Sequence, residues 1–166
     1  MMIQKKVCML GGFGVGKTSL VARFVHSRFS DQYLSTMGVK VDRKGVDVGD
    51  RHVNMMLWDI YGEEANRKVA TSYLRGTSGA ILVADGTRPE TLETTQILLQ
   101  RLQDTVGDIP SILLINKHDL TDQWAVTDSA LDALQAASRP VYLSSAKTGE
   151  HVETAFHTLA ELMVPS

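Results

Sequence analysis

The chain predicts an α/β fold, a parallel sheet covered by helices on both faces, and three observations carry that prediction. Four short apolar runs, Val7–Leu10, Ala80–Ala84, Ile112–Ile115 and Val141–Leu143, have the unbroken aliphatic character of strands buried on both sides. Stretches with apolar residues at helical spacing lie between them. One region, Val39 to Leu57, alternates around a turn signal and reads as an antiparallel hairpin. Strand and helix alternation with one hairpin gives a sheet packed on both faces. Ligands of such sheets bind beyond the carboxyl ends of the strands.

The elements follow in order. A strand over Lys5–Leu10 runs through a glycine-rich segment into a helix that carries Leu20, Val21 and Phe24. In the hairpin, Val39 and Val41 stand on one arm and Val53, Met55 and Leu57 on the other, around Gly49-Asp50. After the Ala80–Ala84 strand, Pro89 suits the first turn of a helix whose Leu92, Leu99, Leu102 and Val106 recur at helical spacing. Near the end Val152, Ala155, Phe156, Leu159 and Leu162 read as the apolar face of a last helix. No internal repeat, low-complexity tract or linker divides the chain, so residues 1–166 read as one domain.

Bulk properties exclude several function classes. The 166 residues suffice for a sizeable core, and 43% apolar with 22% charged residues is ordinary for a soluble globular chain. Seventeen basic against nineteen acidic residues give a net charge of −2, which offers no global attraction for nucleic acid or anionic lipid. The single cysteine, Cys8, lies in an apolar run and reads as a buried strand residue in a reducing compartment. No signal peptide opens the chain, and no apolar run approaches the ~20 residues of a membrane span. The expectation is a cytoplasmic monomer with no intrinsic membrane anchor. His26, His52, His118, His151 and His157 are scattered, without metal-ligand spacing.

The strongest chemistry follows the first strand. The stretch "GGFGVGKTSL" fits G-x-x-x-x-G-K-[ST] with Gly11, Gly16, Lys17 and Thr18, between a strand and a helix. Glycines let backbone N–H groups turn toward a polyphosphate, and the helix N-terminus adds its positive end. Lys17 reaches the outer phosphates and the Thr18 hydroxyl can ligate Mg²⁺. The candidate phosphate-binding residues are Gly12, Phe13, Gly14, Val15, Gly16, Lys17, Thr18 and Ser19.

The base is read further along. "INKHDL" ends one buried strand and "SSAKTG" follows another. Asp119 is placed to accept from the N1–H and N2 amino groups of guanine, a donor pair that adenine lacks, so ATP would leave it unpaired. Asn116 would tie this loop to the phosphate loop, and the stem of Lys117 would lie on the base. A third stretch, "WDIYGEE" at residues 58–64, brings three acids together. By itself it fits a general acid/base pair, part of a metal site or a charged helix start.

The set "GGFGVGKT", "YLSTMGV", "WDIYGEE", "NKHD" and "SSAKTG" resembles the Ras superfamily of small GTPases over nearly the whole chain, and its Rab branch most. That resemblance implies a six-stranded, mostly parallel sheet with one antiparallel strand and five helices, a P-loop GTPase domain. It implies Mg²⁺-dependent binding of GTP and GDP, with hydrolysis of GTP. It further implies that Asp59 holds Mg²⁺ through a water, that Thr36 joins the metal shell with GTP, and that the Gly62 N–H contacts the γ-phosphate. Phe29 would stack on guanine, Tyr33 would cover the phosphates, and Ser145, Ala146 and Lys147 would form the second base loop, with the Ala146 N–H at the guanine O6. Protein effectors and regulators would read the segments Thr36–Val41 and Asp59–Tyr73. One of the three acids of "WDIYGEE" would thus belong to a metal shell, and Glu64 suits a helix start.

Three positions depart from the family pattern. Glu63 stands where a water-orienting glutamine is usual, so the catalytic set carried over is Glu63, Gly62 and Lys17. Phe13 and Tyr61 are bulky where small residues are usual. Trp58, Tyr73 and Val41 match a Rab-like apolar patch between the switch segments, or simple core packing. Two readings follow: a slowly hydrolysing GTP switch, or a binding module of the same fold locked in one nucleotide state by Phe13 and Glu63. "NKHD" argues against a third, a P-loop kinase or ATPase. No cysteine-bearing tail follows "ELMVPS".

Overall fold

A computed structural model describes residues 2–29, 38–60 and 71–165. Among them are β1 (Met2–Gly11), α1 (Lys17–His26), β2 (Val39–Val48), β3 (Arg51–Ile60), α2 (Thr71–Leu74), β4 (Gly79–Asp85), α3 (Glu90–Val106), β5 (Ser111–Asn116), α4 (Asp128–Gln135), β6 (Val141–Leu143) and α5 (Val152–Met163). The six strands form one sheet in the order β2-β3-β1-β4-β5-β6. Only β2 runs antiparallel, paired with β3 from Val39↔Ile60 to Val48↔Arg51. The expected six-stranded α/β architecture is therefore present, with five helices among the described residues.

Period-two alternation along the strands distributes the core between two faces. Val7, Met9, Ile81 and Val83 face α1 and α5, where Leu20, Val21, Phe24, Val152, Phe156 and Leu159 are buried. Phe24 and Phe156 stack with ring centroids 4.1 Å apart, which seats α1 on α5. Cys8, Leu10, Ala80 and Leu82 face the other way, toward Leu74 of α2, Leu98 and Leu102 of α3, and the partly buried Leu131 and Leu134 of α4. Cys8 is fully buried, and burial pushes its thiol above the ordinary value. It is an inert core residue.

The hairpin turns on Gly49 with φ 62, while Asp50 has no positive φ, the pattern of a two-residue turn with glycine first. Its two apolar series face opposite ways. Val41 pairs with Trp58 and Val39 with Ile60, whereas Val53, Met55 and Leu57 point into the α1/α5 core. Two helix faces also differ from expectation. In α5 the buried line is Val152, Ala155, Phe156, Leu159, Ala160 and Met163, and Leu162 is 43% exposed. Spacing of 3, 4, 7, 8 and 11 from Val152 keeps to one face at 3.6 residues per turn, and a spacing of 10 does not. In α3 the innermost line is Thr91, Thr95, Leu98 and Leu102, with Leu92, Leu99 and Val106 on its flank. Pro89 stands at the N-cap of α3 rather than inside its first turn.

Gly11, at the end of β1, marks where backbones come closest. A Cβ there would lie 2.5 Å from the Val83 carbonyl oxygen and 2.9 Å from Val15 Cγ2. The first of these is backbone, which cannot swing aside. Gly11→Ala should cost about 1–3 kcal/mol of stability through overpacking, read as a lower denaturant midpoint at unchanged slope. An unchanged midpoint would mean that β1 and β4 part freely.

Candidate functional site

The carboxyl ends of β1, β3, β4, β5 and β6, at Gly11, Ile60, Asp85, Asn116 and Leu143, share one edge of the sheet. β1 sits between β3 and β4, where the strand order reverses, and the crevice beyond its end is the expected ligand position. The loop from Gly12 to Gly16 fills that position.

This loop is held from behind through its carbonyl oxygens. Arg88 Nη2 donates to the Phe13 carbonyl at 2.8 Å, Lys117 Nζ to Gly14 at 2.9 Å, and Asn116 Nδ2 to Val15 at 3.0 Å. The peptides of the described residues are trans, so the N–H groups of Gly14, Val15 and Gly16 point the opposite way from those tethered carbonyls. Gly14 (φ 73) and Gly16 (φ 104) supply the left-handed conformations that curl such a run into a nest of donors. At Gly16 a Cβ would also lie 2.3 Å from Asn116 Nδ2. α1 then begins with no side-chain cap and no acid in its first turn, and its N-terminal N–H groups and dipole favour an anion.

Behind the tethers stands Asp85, 1% exposed. Its Oδ2 lies 3.0 Å from Lys117 Nζ and 3.1 Å from Arg88 Nε, and its Oδ1 accepts from the Thr87 N–H and hydroxyl at 2.8 and 2.7 Å. Burial alone would raise this carboxyl, but the Thr87 hydrogen bonds and the Lys117 ammonium together hold it below the ordinary carboxylate value. One buried anion thus fixes two cations, and each cation fixes a loop carbonyl.

Lys17 opens α1 and is 6% exposed. Burial pushes its ammonium below the ordinary value, and the Asp59 carboxylate opposes that shift. The Thr18 hydroxyl donates to Asp59 Oδ2 at 2.6 Å, bringing together a hydroxyl and a buried carboxylate from α1 and β3. These hard oxygen donors fit a Mg²⁺ ion, which takes few protein ligands and completes its shell with water and phosphate oxygens. Among the described residues no three His, Cys, Asp or Glu side chains form a metal-binding group.

Two loops border the other end of the site. Asn116 is buried, and its Oδ1 accepts from the Ser144 hydroxyl at 3.2 Å, so the ends of β5 and β6 are tied together. Lys117 adopts φ 68, which turns the chain out of β5. Asp119 Oδ1 accepts from the buried Ser145 hydroxyl at 2.7 Å, and Ser145 Oγ accepts from the Thr148 N–H at 3.1 Å. Ala146 is nearly buried and Lys147 exposed. Arg23 on α1 donates to the carbonyls of both, at 2.7 Å to Ala146.

Phe29, exposed, ends the described stretch after α1, and Phe13 is 44% exposed at the loop. Trp58 and Tyr73 pack against the α3-side core, while Val41 is 43% exposed beside Trp58. Lys6 Nζ lies 3.8 Å above the Trp58 ring. Tyr33, Thr36, Tyr61, Gly62, Glu63 and Glu64, for which the resemblance implies roles, lie outside the described residues. Sequence reasoning missed Asp85, Arg88, Ser144 and Arg23. A carboxylate ending a wholly apolar strand was a usable signal for Asp85; the other three carry none in their local sequence. All five histidines have carboxylates within hydrogen-bond or ion-pair distance: His26 with Asp42, His52 with Asp47, His118 and His151 with Glu150, and His157 with Glu161. His151 Nδ1 lies 2.6 Å from the Leu143 carbonyl.

Comparison with known proteins agrees with this geometry. The model of the Ras family matches residues 6–164. The chain is 33% identical over 159 residues to Ras-related protein SEC4 of Saccharomyces cerevisiae, covering 95% of this chain and 74% of that one. It is 36% identical over 162 residues to Ras-related protein Rab7 of Drosophila melanogaster, covering 94% and 78%. With a match spanning nearly all of its length and two Rab-type relatives at a third or more identity, the chain belongs to the Ras family of small GTPases, on its Rab-like side.

Proposed function

We propose that residues 1–166 form one G domain that binds GTP and GDP with Mg²⁺, hydrolyses GTP slowly, and offers protein partners different surfaces in the two forms. The observation that carries this reading is the row of three loop carbonyls tethered by Arg88, Lys117 and Asn116. It turns the Gly14, Val15 and Gly16 N–H groups outward and joins them to the strand ends that lead into Asp119 and Ser145. Lys17 then meets the outer phosphates, where a polyphosphate relieves the cost of its buried charge. Thr18 and, through water, Asp59 are the described residues suited to Mg²⁺, with Thr36 by resemblance; the ion supplies neutralisation of charge on the phosphate oxygens. Asp119, the Ala146 N–H and Phe29 receive the base. Val41 with Trp58 and Tyr73 gives partners an apolar contact between Thr36–Val41 and Asp59–Tyr73.

Guanine selectivity is the direct test. Asp119→Ala removes a charge-assisted pair, which costs on the order of 2–5 kcal/mol. GDP and GTP affinities should fall at least ~30-fold at ~1.4 kcal/mol per tenfold, measured by titration with a fluorescent guanine nucleotide. Equal binding of ATP and GTP by the unmutated protein would end the guanine reading. For the metal, chelation should speed GDP release from the unmutated protein, and Thr18→Ala should shrink that acceleration. Equal acceleration in both would remove Thr18 from the Mg²⁺ shell.

Rate is governed by Glu63 and Phe13. Catalysis in this class is positioning and electrostatics, and a glutamine donates toward the transition state while accepting from the attacking water. Ionised Glu63 only accepts, and its charge opposes the γ-phosphate. Phe13 adds bulk where a partner's arginine would enter. Intrinsic hydrolysis should be on the order of 10⁻⁴ s⁻¹ or less, a bound taken from the characteristic rate of the class. Single-turnover assays of the unmutated protein, Glu63→Gln and Phe13→Gly should show Glu63→Gln faster, and an arginine-finger activator effective only on Phe13→Gly. An unmutated rate above ~10⁻² s⁻¹ that is lost in Glu63→Gln would make Glu63 a general base instead. No turnover in any of the three would leave a nucleotide-locked binding module.

A further inference from the structure

Arg23 makes a contact that the nucleotide reading does not use. It lies six residues after Lys17 on α1, about 9 Å along the axis at ~1.5 Å per residue, so one rigid helix spans from the phosphate end to the base end. Its Nε donates to the Ala146 carbonyl at 2.7 Å and its Nη2 to the Lys147 carbonyl. Two donors of one planar group on two successive carbonyls fix orientation as well as distance. The stem of Arg23 runs beside Gly149 (φ 87), where a Cβ would lie 3.8 Å from Arg23 Cδ.

The rest of the loop defines what this clamp aims. The Ser145 carbonyl accepts from the Gly149 N–H at 2.8 Å. Across a trans peptide the Ala146 N–H points the opposite way. Ala146 is 4% exposed, and no protein acceptor takes its N–H among the described residues. The peptide before Ala146 is thus held by Gly149 and the two after it by Arg23. A buried backbone donor in need of a partner is left with a set direction.

We propose that Arg23 is a positioning residue for base recognition, setting the Ala146 N–H against the 6-oxo group of a purine through its grip on the Ala146 and Lys147 carbonyls. This rests on the guanine-nucleotide reading above. Without the guanidinium, the peptides after Ala146 lose their fixed planes and the N–H samples orientations that miss the base oxygen. Lysine at this position carries a point charge with no fork and can hold one carbonyl at a time.

The test compares GDP with 6-thio-GDP, which keeps the N1–H and N2 donors that face Asp119 but carries sulfur, a weak acceptor, in place of O6. Affinities are measured for the unmutated protein, Arg23→Ala and Arg23→Lys, with thermal melting of each as a folding control. Arg23→Ala should weaken GDP about tenfold, the size of one well-aligned hydrogen bond at ~1.4 kcal/mol. It should weaken 6-thio-GDP by less than about threefold, so that the preference for oxygen over sulfur narrows, and Arg23→Lys should lie between. Equal losses for the two nucleotides, or no loss for either, would overturn the inference, since a brace for the fold alone does not distinguish oxygen from sulfur. Failure of the unmutated protein to prefer GDP over ADP would instead overturn the nucleotide reading, and this inference with it.

Discussion

Two of the three side chains that hold the loop after β1 take their positions from the buried carboxylate of Asp85. Wholly buried β4 delivers it to the carboxyl edge of the sheet, where it is 1% exposed. A lone charge there would be prohibitive, but Asp85 has two hydrogen bonds from Thr87 and two cationic neighbours, Lys117 and Arg88. Each cation also donates to a carbonyl of the loop after β1. Removing Asp85 would therefore do more than delete a pair. It would release Arg88 and Lys117 from the geometry in which they hold the Phe13 and Gly14 carbonyls, leaving Asn116 on Val15 from the three tethers.

The same edge ties the loop after β1 and the loops after β5 and β6 into one unit. Asn116 reaches back to Val15 and receives the Ser144 hydroxyl, so the ends of β5 and β6 and the loop after β1 share one buried amide. Ser145 donates to Asp119, and Arg23 links α1 to Ala146 and Lys147. The Phe24–Phe156 stack and the α1/α5 core anchor the helix that carries Lys17, Thr18 and Arg23. A ligand that spans these loops thus meets groups whose spacing the core already sets.

What the sequence made legible was local. The phosphate loop, "NKHD" and the Gly49 turn are short strings whose residue types state their conformation, and β4 and β5 announce themselves by unbroken apolar composition. Helix faces were legible only as far as periodicity was followed: Leu162 lies off the α5 stripe and Met163 on it, and Leu98 was passed over for its neighbour Leu99. Arg88 and Arg23 were not legible at all. Each acts on a carbonyl 75 or 123 residues away, and no local pattern distinguishes such an arginine from a solvated one. Asp85 could have been singled out as a charge closing an apolar strand, but its role needs Lys117, brought beside it by the pairing of β4 with β5. For Tyr33, Thr36, Gly62 and Glu63 the resemblance remains the only guide.

The tethering also explains how a phenylalanine can occupy the phosphate loop. The loop is shaped through its carbonyls and through the positive φ of Gly14 and Gly16, not through the side chain at position 13. Phe13 itself has no positive φ, and Arg88 holds its backbone oxygen, which every residue possesses. Substitution there changes what stands at the mouth of the site without changing the direction of the N–H nest. Gly16 has no such latitude, because its φ of 104 and the nearby Asn116 amide both exclude a side chain. The backbone of this loop is fixed from the sheet side through its carbonyls, while the side chain at position 13 stands on the open side and can vary.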